Sequence, residues 1–373
     1  MTPIYASTWA DLMAALRRPG GARQLAEQAM AAAEANAELN AYRRIDPAKV
    51  LAEADAADTR RKAYPTAPAL CGLPISAKDL YVVDGYDTFA GTSMALDGHF
   101  PDEGPVVQTL RGQGAVITGK THTVEFAFGG IGTNPHWPSP INPWSTDADR
   151  VSGGSSSGAG VSLWTGTAAL ALGTDTAGSV RVPASFTGAI GLKTTHGRWS
   201  IDGIVPLSPS LDTAGFLALN AEAIAEAFMA VDGTAARDPE FIRRAWPGRV
   251  DGLRLGVARQ AFDGVEAGIG DVIERALKEL EAAGAILKDV TLPEFDDAEA
   301  LFKVGGVAGI EFAASINNDL PEWRDKLDPN VKARFVAIEQ ATAGEYLSRM
   351  SALAKMQAGA TQRMDEFGID ALA

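Results

Sequence analysis

Cysteine is all but missing. Cys71 stands alone among 373 residues, which excludes an intrachain disulfide and every cysteine-rich zinc or iron–sulfur framework. Basic residues are the minority charge: 33 Lys and Arg face 47 Asp and Glu, a net of −14. A chain of that sign is poorly suited to phosphate backbones or anionic lipid, so nucleic acid is not an expected partner. The first residues, MTPIYASTWADLM, carry no basic stretch followed by an apolar run, so no secretory signal is visible and the cytoplasm is the expected compartment. Charge is absent from Val151 to Thr174, but six of those 24 residues are Gly and eight are Ser or Thr. That is too polar and too broken for a membrane helix, so no membrane span is expected and something else must keep charge out.

What is present reads as a globular α/β protein. Residues 8–63 are Ala-rich with helical spacing, interrupted at Pro19-Gly20-Gly21 and near Asp46-Pro47. Three helices are expected there, the first opened by a Thr8/Asp11 capping box. From Leu73 onward short apolar segments alternate with helical ones: 73–78, 115–119, 168–173, 189–193, 216–219, 253–258 and 286–292. That alternation predicts a central twisted mixed sheet with helices on both faces. Helices are expected over 220–231 and 270–283, with a mostly helical stretch over 297–367. Residues 132–149, with four Pro and four Asn or Asp, predict a long loop of the kind that often carries function. The closing run Phe367–Ala373 reads as the entry to a buried strand, so the expectation is a single domain, 1–373, that lacks a carboxy-terminal piece: a helical part over 1–68, a core over 69–220 and a remainder over 221–373.

Three patterns compete for the chemistry. Gly114-Ala-Val-Ile-Thr-Gly119-Lys120-Thr121 matches the P-loop literally, but its interior is itself an apolar strand where a phosphate-cradling turn is needed, so a strand is expected and a nucleotide-binding protein is a rival reading. Gly154-Ser155-Ser156-Ser157-Gly158 satisfies G-x-S-x-G; an esterase with Ser156 as nucleophile would have to use His196, the sole later histidine, only 40 residues on. The third is a constellation: Lys78 in Gly72-Leu-Pro-Ile-Ser-Ala-Lys78-Asp79, Ser155 in Gly153-Gly154-Ser155-Ser156-Ser157-Gly158, and Ser179 in Gly173-Thr-Asp175-Thr-Ala-Gly178-Ser179-Val-Arg181-Val-Pro183. Each piece alone is bland: a solvated lysine, a Gly/Ser loop, a structural Asp175–Arg181 ion pair.

Taken together, these segments resemble the amidase signature family over residues 73–219, most densely over 152–193, with Gly191-Leu192-Lys193 and Ser210–Gly215 as further matches. Ala177 departs from the glycine common at that place. The resemblance implies amide hydrolysis through a Ser-cisSer-Lys triad and an acyl-enzyme, with neither metal nor organic cofactor. Ser179 would attack the carbonyl, Ser155, on a cis peptide after Gly154, would relay the proton, and neutral Lys78 would receive it. A lysine serves there only if burial lowers its pKa, and Asp79 would oppose this unless it faces elsewhere. Backbone N–H groups of Thr176, Ala177, Gly178 and Ser179 are the expected oxyanion hole. Ser156, Asp175 and Arg181 are expected to support the site, and Phe128, Gly129 and Gly130 to border a small-molecule amide, with Trp137, Trp164 and Trp199 as further candidates for an apolar pocket. A homodimer is plausible by the same analogy. A non-catalytic or amidotransferase-type subunit of the same fold is the remaining rival.

Overall fold

The computed structural model describes residues 2–64, 66–96, 98–233, 248–262 and 264–373. Its contacts divide the chain into two compact units, residues 1–239 with 311–337, and 240–310 with 338–373.

The first unit opens with α1 (Trp9–Leu16), α2 (Gly21–Ala35) and α3 (Pro47–Ala63). The Thr8 side chain accepts from Asp11 N, and Thr8 N donates back to the Asp11 carboxylate, so the capping box forms as expected. A six-stranded sheet follows in the order β1-β3-β2-β4-β6-β5, built from β1 (Tyr42–Arg44), β2 (Pro74–Lys78), β3 (Val116–Thr121), β4 (Leu170–Asp175), β5 (Ile190–Lys193) and β6 (Thr213–Ala218). Strands β3, β2 and β4 run parallel, and the flanking pairs β1–β3, β4–β6 and β6–β5 are antiparallel. The sheet is therefore mixed, with helices around it. Five of the strands match the apolar segments; β1 does not, because three residues ending in two arginines carry no periodic signal.

The sheet centre explains the uncharged stretch. Helix α5 (Ser157–Trp164) is buried from Ser157 through Leu163, and β4 behind it is buried throughout. A Cβ on Gly158 would stand 2.1 Å from Ala41 O, so only glycine lets α5 lie this close to the chain at β1. Ala159, Leu163, Ala171, Val180, Ala184 and Leu217 close the core around it. Charge is excluded by protein on all sides, at the cost that any ionisable group reaching this layer is desolvated. Helices α4 (Pro105–Gln113), α6 (Arg181–Thr187) and α7 (Ala221–Val231) complete this part. Residues 311–337 add most of α10 (Ala308–Asn318) and of α11 (Pro329–Ile338).

The second unit holds a parallel three-stranded sheet, β8-β7-β9, made of β7 (Arg254–Ala258), β8 (Ile286–Val290) and β9 (Ala371–Leu372). It also carries α8 (Ala267–Ala282), α9 (Pro293–Lys303) and α12 (Ala343–Phe367). The carboxy-terminal run enters a strand, though not a buried one, since Ala371 is half-buried and Leu372 exposed; Asp370 holds Arg254 there through a two-pronged ion pair. Among the described residues, no helix is long and apolar enough to cross a membrane.

Candidate active site

Lys78 ends β2, between β3 and β4, and its side chain is fully buried. Nζ donates to Ser155 Oγ at 2.7 Å and to Thr174 Oγ1 at 2.8 Å. Burial pulls its pKa down to about 7, against the opposing charges of Asp175 and Asp212. Near neutral pH the group is thus divided between ammonium and amine, and the amine has a lone pair that can accept the Ser155 proton. Asp79 does face elsewhere: its carboxylate pairs with Arg43 Nε at 2.6 Å and Lys120 Nζ at 2.8 Å.

The Gly154–Ser155 peptide is cis. Its neighbours are glycines because the chain is crowded: a Cβ on Gly154 would meet Gly132 N at 2.7 Å, and Gly153 has φ +77°. Ser155 O accepts from Val124 N at 3.2 Å, and Ser156 ties this segment to the next, its N and Oγ both donating to Ser179 O at 3.3 and 2.5 Å. Ser155 is fully buried, whereas Ser179 is 8% exposed. Ser179 is thus the less deeply buried of the two serines. It makes no hydrogen bond to any described side chain.

Ser179 is carried on a turn moulded around Asp175. That carboxylate accepts from Gly178 N (2.7 Å), Val180 N (3.1 Å) and Arg181 N (3.3 Å), and takes Arg181 Nε and Nη2 at 3.0 and 2.9 Å. Burial would raise its pKa, but the Arg181 guanidinium and the backbone donors prevail and hold it below the ordinary carboxylate range. The expected oxyanion hole needs one correction. The Gly178 N–H is already committed to Asp175, so this residue serves the turn through its φ of +132° rather than as a free donor. The N–H groups of Thr176, Ala177 and Ser179 donate to no described group. Asp212 braces the other side: it accepts from Thr176 Oγ1 and from Leu207 N and Ser208 N, both at 2.9 Å.

Phe128, Gly129 and Gly130 lie beside this centre. Gly130 O accepts from Gly154 N at 2.8 Å, directly before the cis peptide. The Phe128 ring packs on Phe312 at 5.0 Å and lies under the Arg334 guanidinium at 5.6 Å, which also donates to Phe128 O; Arg334 stands 3.2 Å from where a Gly129 Cβ would be. Ala127, Leu207, Thr174 and Asp212 line a small cavity, and a second of about 260 Å³ is lined by His99, Phe126, Val205, Phe312 and Ile316.

The strand expected at the P-loop match is present, and the rival readings do not find their sites. Gly119, Lys120 and Thr121 lie in strand β3, with Lys120 fully buried, so no loop exists to cradle phosphate. His196 Nε2 is exposed and 3.0 Å from Pro209 O, while the Ser156 hydroxyl is spent on Ser179 O, so an esterase pair is not assembled. Trp137 donates to Thr92 O and sits edge-on to Phe89, Trp164 packs on Trp144, and Trp199 packs on Phe216; all three serve packing and none lines a cavity described above. Conversely, the sequence pattern gives no site role to Thr174, Asp212 or Arg334. Thr174 and Asp212 both fall inside matched segments, and strand alternation from Asp175 would have turned Thr174 toward the opposite face.

The amidase family model matches residues 24–373. The chain is 47% identical over 332 residues to the 2-amino-5-chloromuconic acid deaminase of Comamonas testosteroni, covering 89% of this chain and 71% of that one. It is 36% identical to a glutamyl-tRNA(Gln) amidotransferase subunit of Cupriavidus necator, over 87% of this chain and 69% of that one. Among solved structures, the native peptide amidase of Stenotrophomonas maltophilia superposes with a TM-score of 0.79 at 27% identity, over 94% of this chain and 79% of that one. The chain belongs to the amidase signature family of amidohydrolases.

Proposed function

We propose that the protein hydrolyses a small carboxamide through an acyl-enzyme on Ser179, releasing ammonia. One observation carries the reading: a fully buried Lys78, poised near neutrality, in contact with the Ser155 hydroxyl. In this reading Ser179 Oγ attacks the carbonyl carbon, its proton moves to Ser155 Oγ, and the Ser155 proton moves to the Lys78 amine. Negative charge on the carbonyl oxygen is received by the N–H groups of Thr176, Ala177 and Ser179, each such donor being worth about 3 kcal/mol in the transition state. The ammonium of Lys78 then returns a proton through Ser155 to the departing nitrogen. Water enters, loses its proton along the same path, and releases the acid from Ser179. Asp175 and Arg181 hold the turn, and Ser156 holds it against the cis segment.

The relatives' names support a small nitrogen leaving group, one being a deaminase and the other belonging to an amidotransferase. A substrate carboxylate would find Arg334, which stacks on Phe128 and has no acidic partner among the described residues. Lys78→Ala and Ser179→Ala should each abolish amide turnover while leaving the circular dichroism spectrum unchanged; turnover retained in either folded variant overturns the reading. A second reading, an amidotransferase-type subunit, is favoured by the 36% identity; glutamine turnover that appears only with added partner subunits would support it.

A further inference from the structure

Lys120 belongs to the one motif that the reaction leaves unused, yet it is among the largest fully buried side chains. A buried ammonium is costly and calls for a reason. Its Nζ lies 2.8 Å from Asp79 Oδ1 and 3.2 Å from Thr88 Oγ1. Arg43, itself only 7% exposed, takes the other Asp79 oxygen at 2.6 Å, covers the Phe89 ring at 3.9 Å and donates to Asp87 O at 2.7 Å. Two cations thus enclose one carboxylate.

The sheet places this cluster directly behind the catalytic lysine. In the parallel β2–β3 pair, Ala77 is in register with Lys120 and Lys78 with Thr121. Registered partners share a face and successive residues alternate, so Lys120, Ala77 and Asp79 lie on one face and Lys78 on the other. The charged groups that act on Lys78 from β4 and from the segment before β6 are Asp175 and Asp212, and both favour its ammonium form. On the opposite side stand Asp79, Lys120, Arg43 and the more distant Asp87; burial lowers the Lys120 pKa, and the Asp79 carboxylate against its Nζ is what opposes this and favours the ammonium. His122, beside Asp79 and Arg43, is pushed down to about 4 by burial and carries no charge at neutral pH. Without its cations, Asp79 would be a third carboxylate acting in the same direction as Asp175 and Asp212.

We propose that Lys120 is a positioning residue for the amide chemistry: by pairing with Asp79 beside Arg43, it offsets the negative charge behind strand β2 and so keeps Lys78 available as a neutral base. The inference rests on the proposed role of Lys78. A single buried charge at one strand's thickness shifts a neighbour's titration by on the order of one pH unit.

The test uses the full chain and needs no substrate: the rate at which phenylmethylsulfonyl fluoride modifies Ser179 is followed from pH 5 to 9. Lys120→Met should move the acid limb up by about one pH unit, Asp79→Asn should move it down by a similar amount, and the double variant should return it to the wild-type position. Lys120→Arg, which keeps the charge, should leave it in place. A role confined to holding the strands together predicts slower labelling with an unmoved limb, and superimposable limbs in folded variants overturn the proposal. Should Lys120→Met not fold, Lys120→Gln, which removes the charge and keeps a polar group, decides by the same upward shift. Wild-type labelling in Lys78→Ala would instead defeat the reading of Lys78 itself.

Discussion

Replacing Thr174 with Val perturbs the site at a single oxygen. Val has nearly the same shape, suits a strand as well, and leaves β4 intact. What disappears is the 2.8 Å contact to Lys78 Nζ, one of two that the buried group makes. A hydrogen bond from an ammonium contributes about 1.5–3 kcal/mol, and one from a neutral amine about 0.5–1.5. The difference, roughly 1–1.5 kcal/mol, is about one pKa unit. Lys78 should therefore titrate about one unit below its value of about 7, and the acid limb of kcat/KM should move down with it. The amine also loses an anchor, so the plateau should fall on the order of tenfold, about 1.4 kcal/mol of barrier. The assay is ammonia release against pH, with circular dichroism to confirm folding. A folded variant whose acid limb stays put or moves upward would refute the claim that Thr174 contacts the ionising group.

Asp175→Asn should cost about 3 kcal/mol of stability by chemical denaturation, because the turn loses a carboxylate serving three backbone donors and Arg181; since the lost charge favours the Lys78 ammonium, its residual activity should show a lower acid limb. Glu125 is buried, takes Asp328 N at 2.7 Å and lies 3.0 Å from His136 Nε2. Burial, with the nearby Asp328 charge, raises it to about 8 despite that backbone donor. The native state thus binds the extra proton, so this contribution is complete below the ordinary carboxylate range and is lost as pH rises through about 8. Melting temperatures of Glu125→Gln should accordingly gain on wild type as pH is raised from 5 to 8, and a constant difference would refute the assignment. Gly158→Ala should destabilise by roughly 1–3 kcal/mol, since its methyl group would collide with Ala41 O; an unchanged denaturation midpoint would show that α5 is free to retreat.

Much of this site is legible in the chain because its determinants are local. The Gly-Gly-Ser-Ser-Ser-Gly run, the Asp175 turn and the strand ending in Lys78 each announce themselves within a few residues. The desolvation that adjusts Lys78 is also written in sequence, as 24 uncharged positions that become α5 and β4. What escapes is pairwise and long-range. Nothing near Gly178 reveals that its N–H is consumed by Asp175, because that depends on the dihedral angles of one turn. The P-loop match at Lys120 is betrayed as a strand by its apolar interior, but its pairing opposite Ala77 is visible only in the β2–β3 register. Arg43 lies in a three-residue strand without periodicity, and Arg334 reaches Phe128 across 206 positions. Tryptophans near the motifs attract attention by chemistry, but their partners, Phe89, Trp144 and Phe216, place them in packing.

The central claim is that Ser179 is a nucleophile driven by Lys78. Intact-mass measurement and peptide mapping after treatment with a serine-reactive sulfonyl fluoride test it directly, in wild type and in Lys78→Ala. The account predicts one adduct, on Ser179, that is lost or much slowed when Lys78 is removed. An adduct on Ser155 or Ser156 in place of Ser179, or labelling of Ser179 at an undiminished rate in a folded Lys78→Ala variant, would contradict it.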